Sequence, residues 1–308
     1  MKIYKEIPKL KEDTVISIGK FDGVHIGHTT LLEELVLMSD LEDATSVAIT
    51  FNPFPEEFFQ KKSLPHLNTR GEIISEMDEI GVDILVELPF DEEISSYSPE
   101  KFVKEILINK LHMKALVCGS DVSFGKDGKG NAKEVEKLSE KYGFNTEIID
   151  KVLYNDNAVS SSRIIKCLQD GKMEDASEML GYDYYLYGPV VKGAGVAHKF
   201  NIPTVNINVP QGRIIPKNGV YMTIVEVDDT DTYHAVSNVG VRPTVSDEGM
   251  VNVESHLIDC PVDSDLYGKR IRVYFLKYIR EEKKFADVAE LFSQIENDIE
   301  GTKEFFGI

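Results

Sequence analysis

A short glycine-rich segment that follows an apolar strand constrains this chain most. Residues 19–28 read GKFDGVHIGH and come directly after the apolar run TVISI at 14–18. In parallel α/β sheets, ligands bind where a strand ends and the next helix begins. Glycines let the backbone approach a ligand closely, and a helix N-terminus offers free N–H groups to phosphate. The segment therefore predicts a phosphate-binding loop at the edge of a parallel sheet.

The remainder of the first half alternates apolar runs with helical periodicity. Strands are predicted over 14–18, 46–51, 82–88, 114–118 and 145–149. Helical spacing fills the intervals at 31–38, 72–80 and 102–111. This alternation is typical of helices packed on both faces of a parallel sheet, so we expect a doubly wound, Rossmann-like α/β domain over residues 1–182, with linker helices from about 160.

The second half has the pattern of an antiparallel β-protein. Two short helices are predicted between 160 and 180, followed by strands over 220–225, 233–237, 251–257 and 271–275. Turn residues separate the strands, which suits a mainly antiparallel barrel over residues 183–308. A final helix is predicted from the spacing of its apolar residues, Val288, Leu291, Phe292, Ile295 and Ile299.

Composition excludes several classes of protein. The formal net charge of −19 disfavours a general nucleic-acid binder, and no apolar run reaches the length of a membrane span. The polar N-terminus does not have the pattern of a signal peptide, so a cytoplasmic location is expected. The three cysteines are far apart, which argues against a disulfide framework. The oligomeric state cannot be predicted from these features.

Two histidines stand at the start of the first predicted helix. His25 and His28 are three residues apart, which places them on the same side of a helical turn. Both imidazoles can donate hydrogen bonds to phosphate oxygens and so stabilise the charge of a phosphoryl-transfer transition state. A metal-binding pair, or two unrelated surface residues, are the alternatives.

The first half resembles the adenylyltransferase part of bacterial bifunctional riboflavin kinase/FAD synthetases. The matching segments are GKFDGVHIGH at 19–28, TFNPFP at 50–55, GSDVSFGK at 119–126 and SSSRI at 160–164. The resemblance implies a nucleotidyltransferase domain that transfers the adenylyl group of ATP to FMN, giving FAD and pyrophosphate. Phe54 stands where the family commonly has histidine, so either that histidine is dispensable or adenylyl transfer is altered here.

The same resemblance implies roles for individual residues. His25 and His28 are expected to be catalytic. Ser161 and Asp121 have simpler alternatives, a helix cap and a turn residue. The residues expected to bind ATP and its phosphates are Gly19, Phe21, Asp22, Gly23, Ser161, Ser162 and Arg163. Those expected to contact FMN or the nucleotide are Asn52, Asp121 and Phe124.

The barrel half carries a second candidate site. Thr204 and Asn206 are two apart in an extended segment, so they point the same way, and their oxygens suit Mg²⁺. The segment resembles the Pro-Thr-x-Asn motif of riboflavin kinases, and residues 219–221, 238–244 and 254–257 follow in the family's order. By resemblance, Glu254 is the general base that takes the proton of the riboflavin 5′-hydroxyl. A solvated strand glutamate is the alternative.

Further kinase residues also follow from the resemblance. Arg280 and Glu282 are expected at the riboflavin, and a phosphate flap is expected to contain Gly193, Gly195, His198 and Lys199. The family usually has Gly-Arg and Leu-Gly where this chain has Ala197-His198 and Phe200-Asn201. Replacing a permanent cation by an imidazole predicts weaker phosphate binding in the flap.

Three functional hypotheses follow. The first is a bifunctional enzyme that phosphorylates riboflavin with MgATP and adenylates the FMN produced, with riboflavin, FMN and ATP as its small-molecule partners. The second keeps only the adenylyl transfer and reduces the barrel to a flavin-binding or regulatory domain. The third is a non-catalytic flavin-sensing regulator, which needs a basic surface that 53 acidic against 34 basic residues do not favour.

Overall fold

The computed structural model describes residues 1–191, 203–209, 211–241, 251–261 and 266–308. Its internal contacts divide the chain into two compact units, Met1–Ser161 and Ser162–Ile308. The predicted domain boundary between residues 182 and 183 stays a prediction.

The first unit is built on a six-stranded parallel sheet with the order β1-β4-β3-β2-β5-β6. Its strands are β1 Lys2–Tyr4, β2 Thr14–Ile18, β3 Thr45–Asn52, β4 Ile84–Pro89, β5 Met113–Gly119 and β6 Asn145–Ile149. Because β2 lies between β3 and β5, the segment that follows β2 emerges near the middle of the carboxyl edge. The short strand β1 was not predicted, because its three residues KIY do not form an apolar run.

Helices connect these strands. They are α1 Ile26–Leu41, α2 Pro55–Gln60, α3 Arg70–Ile80, α4 Glu92–Ser95, α5 Pro99–Phe102 and α6 Ala132–Tyr142. A π-helical segment, Val103–Ile108, continues α5, and a hairpin of β7 Leu153–Tyr154 and β8 Asn157–Ala158 precedes the second unit. The helical segment predicted over 102–111 thus begins at residue 99, ends at residue 108 and is π-helical from residue 103. The N–H of Asn109 bonds to the carbonyl of Lys104 at 3.0 Å, which widens the helical turn.

The sheet buries both of its faces. Val15 on β2 packs in one apolar cluster with Leu32 of α1 and Met77 of α3. The neighbouring Ile16 belongs to a second cluster that includes Leu107. A parallel sheet covered on both faces needs strands that are apolar at successive positions, and TVISI satisfies this. The predicted doubly wound α/β fold is confirmed.

The second unit is a closed barrel of six antiparallel strands. Two helices precede the barrel and one follows it: α7 Ser161–Asp170, α8 Met173–Leu180 and α9 Val288–Phe306. The strands are β9 Tyr185–Val191, β10 Thr204–Asn208, β11 Gly219–Val227, β12 Asp231–Val241, β13 Val251–Leu257 and β14 Arg270–Arg280. Closure follows the order β10-β13-β12-β11-β14-β9, with β9 pairing back to β10. The predicted barrel with a C-terminal helix is confirmed.

The C-terminal helix buries only part of its predicted apolar face. Ile295 is 7% exposed, whereas Val288 at the first turn is 51% exposed. Asp298 is also buried, so the inner face of α9 is partly polar. Within the described ranges, no helix is long and apolar enough to cross a membrane.

Candidate active sites

Close packing shapes the loop at residues 19–25. A β-carbon on Gly19 would lie 2.9 Å from the ring of Phe21, so only glycine fits beside this fully buried ring. Gly23 has a φ of 91°, a backbone conformation that favours glycine. Phe21 and Val24 also have positive φ values, 55° and 31°, which side-chain-bearing residues rarely adopt. The loop therefore carries backbone strain that the burial of Phe21 helps to maintain.

The two histidines form a stacked pair at the start of α1. Their ring centroids are 3.7 Å apart and their planes differ by 12°. His25 caps the helix, and its Nδ1 accepts a hydrogen bond from the backbone N–H of His28 at 3.3 Å. Since Nδ1 is the acceptor, a neutral His25 carries its proton on Nε2. That N–H is available to a ligand beside the free N–H groups of the helix N-terminus.

Burial keeps both imidazoles neutral. It lowers the pKa of His25 to about 4, although the charges of Asp22 and Asp121 oppose the shift. Burial, together with the neighbouring His25, also lowers the pKa of His28 well below its ordinary value. Nδ1 of His28 is buried and has no hydrogen-bond partner among the described residues. An anionic ligand placed against these rings would favour their N–H donors and oppose the effect of burial.

Asp22 holds the loop to neighbouring segments. Its Oδ1 accepts hydrogen bonds from the backbone N–H groups of Leu67 and Asn68, at 2.9 and 3.4 Å. Its backbone carbonyl accepts a hydrogen bond from the hydroxyl of Ser161 at 2.8 Å. The structure thus brings Ser161 of the predicted second phosphate motif to the first motif. The Asp22 carboxylate itself is turned to protein N–H groups.

His66 is a neighbour of this site that the sequence analysis missed. Its Nδ1 lies 3.7 Å from Oδ2 of Asp22, and its Nε2 lies 3.3 Å from Oε1 of Glu57. The contact with Asp22 and a smaller contribution from Glu57 hold the pKa of His66 above its ordinary value, although partial burial opposes them. Its ring meets the edge of Phe54, with the centroids 5.0 Å apart. The Phe54 position therefore has an imidazole beside it.

The other residues predicted to contact FMN or the nucleotide lie at the end of β3 and after β5. Asn52 is exposed at the end of β3. Asp121 is exposed after β5, and Lys151 Nζ lies 2.9 Å from its Oδ2. Phe124 is 6% exposed and packs on Phe102 with the ring centroids 6.1 Å apart. The roles of these three residues stay predictions.

An aromatic cluster lies at the carboxyl ends of β3 and β4. Its rings make edge-to-face contacts with centroids 5.4 to 5.8 Å apart. The members are Phe51, Phe58, Phe59 and Phe90. Phe59 is 67% exposed. The cluster therefore offers an apolar surface near Asn52 that could receive a planar ring.

In the second unit, strand register assembles a polar face on the barrel. Glu254 of β13 lies opposite Asn206 of β10 on one side and Asn238 of β12 on the other. Thr204 lies opposite His256 in the next row. Residues that are directly opposed or two apart point to the same face of a sheet. The predicted base and the predicted magnesium ligands therefore share one surface.

Cross-strand hydrogen bonds hold the two predicted magnesium ligands. Thr204 Oγ1 and His256 Nδ1 are 2.9 Å apart. Asn252 Nδ2 donates to Asn206 Oδ1 at 3.0 Å. Asn206 is 4% exposed and His256 is 8% exposed. Burial lowers the pKa of His256 to about 4, so its imidazole is neutral.

A cleft of about 360 Å³ lies between this face and α9. A cleft of this size is typical of small-molecule sites. Residues from the barrel and the helix line it, among them Val220, Glu254, Arg280, Glu282, Phe292 and Ile295.

An ion pair and further hydrogen bonds hold the side chains in the wall of this cleft. Arg280 makes three contacts with Asp298 of α9, at 2.7 to 3.2 Å, and Gln294 donates to the same carboxylate at 3.0 Å. Glu282 accepts from Asn238 at 3.0 Å. The predicted riboflavin residues Arg280 and Glu282 thus line the cleft while bound to protein partners.

The donor set suits a cation that arrives with a nucleotide. In the part of the chain that the structure describes, no group of three His, Cys, Asp or Glu side chains is placed to hold a metal ion. Thr204 and Asn206 instead provide neutral oxygens on a buried strand. Mg²⁺ commonly takes few protein ligands and completes its coordination with water and nucleotide phosphates. These residues therefore fit Mg²⁺ bound together with ATP.

Comparison with known proteins decides the family. Residues 7–163 match the FAD synthetase family model, and residues 180–306 match the riboflavin kinase family model. The chain belongs to the bifunctional riboflavin kinase/FMN adenylyltransferase family. The resemblance noted in the sequence is confirmed, and the two models occur in the predicted order.

Curated relatives of the bifunctional family match over the whole chain. The bifunctional riboflavin kinase/FMN adenylyltransferase of Buchnera aphidicola (subsp. Schizaphis graminum) is 34% identical, and the match covers 100% of both chains. The Escherichia coli K12 protein of the same name is 32% identical and covers 100% of this chain and 99% of its own.

A crystal structure with another name shares the fold. It is called a macrolide-efflux protein from Streptococcus pneumoniae, is 26% identical and superposes with a TM-score of 0.86 over 98% of this chain and 99% of its own. Its name describes that protein only. The likeness extends through both halves of the family fold.

Part of the predicted kinase site lies outside the described residues. This applies to the flap residues Gly193, Gly195, His198 and Lys199, and to the family departures at 197–198 and 200–201. The individual roles assigned to the other site residues stay predictions. The structure adds His66, Asn252, His256 and Asp298 to the neighbourhoods of the two sites. The alternation of Asn252, Glu254 and His256 along β13 is the signal that could have marked two of them.

Proposed function

We propose that this chain makes FAD from riboflavin in two steps at two separate sites. The barrel phosphorylates riboflavin with ATP to give FMN and ADP, and the α/β unit transfers an adenylyl group from a second ATP to FMN, releasing pyrophosphate. The observation that carries this function is the pair of family matches in one chain. Small-molecule flavins and ATP are its substrates, and we propose the cytoplasm as its location.

For adenylyl transfer, we assign the α-phosphate of ATP to the stacked histidines. His25 Nε2–H, an N–H of His28 and the N-terminus of α1 would donate to the oxygens that gain charge as the FMN phosphate attacks. Gly19, Phe21 and Gly23 would shape the loop, while Asp22 would position it through its contacts with residues 67–68. The hydrogen bond from the Ser161 hydroxyl to the carbonyl of Asp22 supports placing the ATP phosphates at this loop.

The remaining adenylyltransferase residues are assigned by motif and position. Ser161, Ser162 and Arg163 would bind the β- and γ-phosphates of ATP at the start of α7. Asn52, Asp121 and Phe124 would contact FMN or the nucleotide. We place the flavin ring against the apolar surface that includes Phe59, because planar aromatic rings favour such contacts.

For phosphorylation of riboflavin, we assign the proton transfer to Glu254. Its carboxylate would accept the proton of the ribityl 5′-hydroxyl as the oxygen attacks the γ-phosphate. Thr204 and Asn206 would hold Mg²⁺, which neutralises phosphate charge when it is bound. Arg280 and Glu282 would form the wall against which riboflavin lies. The four flap residues are proposed from the sequence motif alone.

A product assay tests the function. Incubation with riboflavin and MgATP should yield FMN first and then FAD, separated by chromatography. If FMN and FAD fail to form from riboflavin while supplied FMN still becomes FAD, the kinase claim fails and the monofunctional alternative holds. If neither substrate is converted but riboflavin or FMN still binds, the non-catalytic regulator is favoured.

A further inference from the structure

The proposed mechanism leaves His256 without a role, although His256 contacts one of the proposed cation ligands. It lies directly opposite Thr204 in the register of β10 and β13. Its Nδ1 is 2.9 Å from Thr204 Oγ1, and both side chains belong to the polar face that contains Glu254. The imidazole is buried at 8% exposure, so solvent cannot readily replace this contact.

The direction of this hydrogen bond decides what Thr204 can do. A hydroxyl has one proton and two lone pairs. If Nδ1 of a neutral imidazole accepts the proton, the imidazole occupies neither lone pair of Oγ1. If Nδ1 instead donates, one of those lone pairs is already occupied. A residue that orients a ligand in this way commonly changes metal affinity by 10- to 100-fold when it is replaced.

We propose that His256 is a positioning residue for the kinase reaction, whose Nδ1 accepts the hydroxyl proton of Thr204 and turns the oxygen toward the cation that accompanies ATP. The proposal rests on the proposed function, in which Thr204 is a magnesium ligand. Asn252 contacts Asn206 from the same strand, at 3.0 Å. Strand β13 therefore contacts both proposed ligands of β10.

Two substitutions separate this role from simple packing. In His256→Asn, the amide oxygen lies where Nδ1 was, one bond beyond Cγ, and can still accept the proton. In His256→Gln, the amide lies at the position of Nε2 and the contact is lost. We expect His256→Gln to raise the Mg²⁺ concentration for half-maximal FMN formation roughly 10-fold. His256→Asn should change it less than about twofold, and the KM for riboflavin should stay the same in both.

A binding measurement provides a readout besides activity. Calorimetric titration of ADP with and without Mg²⁺, in the presence of FMN, gives the gain in ADP affinity that Mg²⁺ provides. This gain should fall in His256→Gln, while ADP affinity without Mg²⁺ stays unchanged. His234→Gln is the matched control, since this half-buried imidazole on β12 packs on Phe306 at 4.1 Å. It should keep the full gain.

The outcomes distinguish this proposal from the proposed function. If Thr204→Val leaves the Mg²⁺ requirement unchanged, Thr204 is no cation ligand and the assignment on which the proposal rests fails. If Thr204→Val raises the requirement but His256→Gln does not, only the role of His256 is overturned. Equal impairment of His256→Asn and His256→Gln would also overturn it, because packing would then explain the effect.

The wild-type protein supplies a test that does not depend on folding of a variant. In protein labelled with ¹⁵N-histidine, the nitrogen shifts of an imidazole show which ring nitrogen carries the proton. We expect an unprotonated Nδ1 and a protonated Nε2 for His256. A protonated Nδ1 would contradict the proposal, since that nitrogen could not accept from Thr204.

Discussion

The loop at residues 19–28 and the polar face of the barrel differ in how their residues meet. In the loop, His25 and His28 are three residues apart at the start of α1, where His25 is the N-cap, and their ring centroids lie 3.7 Å apart. On the barrel, Glu254 meets Asn206 and Asn238 only through the pairing of three strands. A local motif can be read from consecutive residues of the sequence. The residues of a site formed by strand pairing are instead far apart in the sequence.

The two sites also differ in how they handle charge. The loop keeps its imidazoles neutral by burial and leaves their donors for an incoming anion. The barrel pairs its charged residues in advance, as Arg280 and Asp298 show. We infer that the loop site meets its anionic substrate with neutral N–H donors. In the barrel site, the charges of Arg280 and Asp298 already balance each other within the protein.

The largest expected effect is on the barrel site. Glu254→Gln should lower the rate of riboflavin phosphorylation by about 10²- to 10⁴-fold, because it removes the proton acceptor. The rate of FAD formation from supplied FMN should stay within about twofold of the wild-type rate. Glu226→Gln, at a half-buried strand glutamate paired with Arg272, is the control and should phosphorylate riboflavin normally. Equal losses in the two variants would contradict the assignment of Glu254.

The loop site should respond in the opposite way. His28→Ala should lower adenylyl transfer to FMN by about 10²- to 10³-fold, because one donor to the charged phosphate oxygens is lost. Thr30→Ala, at an exposed position on the same helix, should have almost no effect. A stopped assay of FAD from FMN and MgATP measures both. Loss of riboflavin phosphorylation in His28→Ala would show that the sites are coupled.

The ion pair in the barrel allows a test of stability. Asp298→Asn should lower the free energy of unfolding of the barrel by about 3 kcal/mol, because it leaves the partly buried Arg280 without its counter-charge. Urea unfolding followed by tyrosine fluorescence measures this loss. Glu290→Gln, which removes the charge of an exposed α9 side chain paired with Lys283, should cost less than about 1 kcal/mol. Similar losses of unfolding free energy in the two variants would contradict a larger stabilising role for the pair of Arg280 and Asp298.

A smaller effect is expected where the two phosphate motifs meet. Ser161→Ala should cost about 1 kcal/mol of stability in the first unit, because the hydrogen bond to the carbonyl of Asp22 is lost. Adenylyl transfer should fall less than in His28→Ala. Ser139→Ala removes a hydroxyl that also donates to a backbone carbonyl, at 2.7 Å on α6, and should leave the reaction unchanged. Unchanged adenylyl transfer in Ser161→Ala would show that the hydrogen bond between the two phosphate motifs does not contribute to the reaction.

The smallest effect is a pH dependence at His66. Because contact with Asp22 raises its folded pKa, the charged His66 stabilises the protein below its unfolded pKa of about 6.5, and this contribution disappears as pH rises through the raised folded value. His25 acts in the opposite direction, since its lowered pKa costs stability as pH falls from 6.5 toward about 4. We therefore compare wild type with His66→Gln, which isolates one group. The difference in unfolding free energy should be larger at pH 6 than at pH 9, by less than about 1 kcal/mol. A constant difference would contradict the ion pair.

The difference between the sites explains what the sequence could predict. The apolar strands of the sheet and the motif at 19–28 were recognisable because strand, loop and helix follow one another directly. The link between Ser161 and Asp22 was not, since 139 positions separate them. His66 was missed for the same reason, because its partners Asp22 and Glu57 come from two other segments.

On the barrel, sequence patterns marked the individual residues but not their partners. Thr204, Asn206 and Glu254 could be proposed from motifs, yet only the pairing of β10 with β13 places His256 against Thr204. Arg280 was expected at riboflavin, and its contact with Asp298 depends on how α9 packs on β14. Such packing follows from the whole core rather than from any local run of residues.

Mixing two variants tests the central claim, that one chain holds two independent sites, most directly. His28→Ala and Glu254→Gln are each incubated with riboflavin and MgATP, alone and together, and the flavins are separated by chromatography. We predict that His28→Ala accumulates FMN, that Glu254→Gln leaves riboflavin unchanged, and that the mixture produces FAD because FMN released by one variant is adenylated by the other. Failure of His28→Ala to form FMN, or a mixture that makes no FAD, would contradict the account.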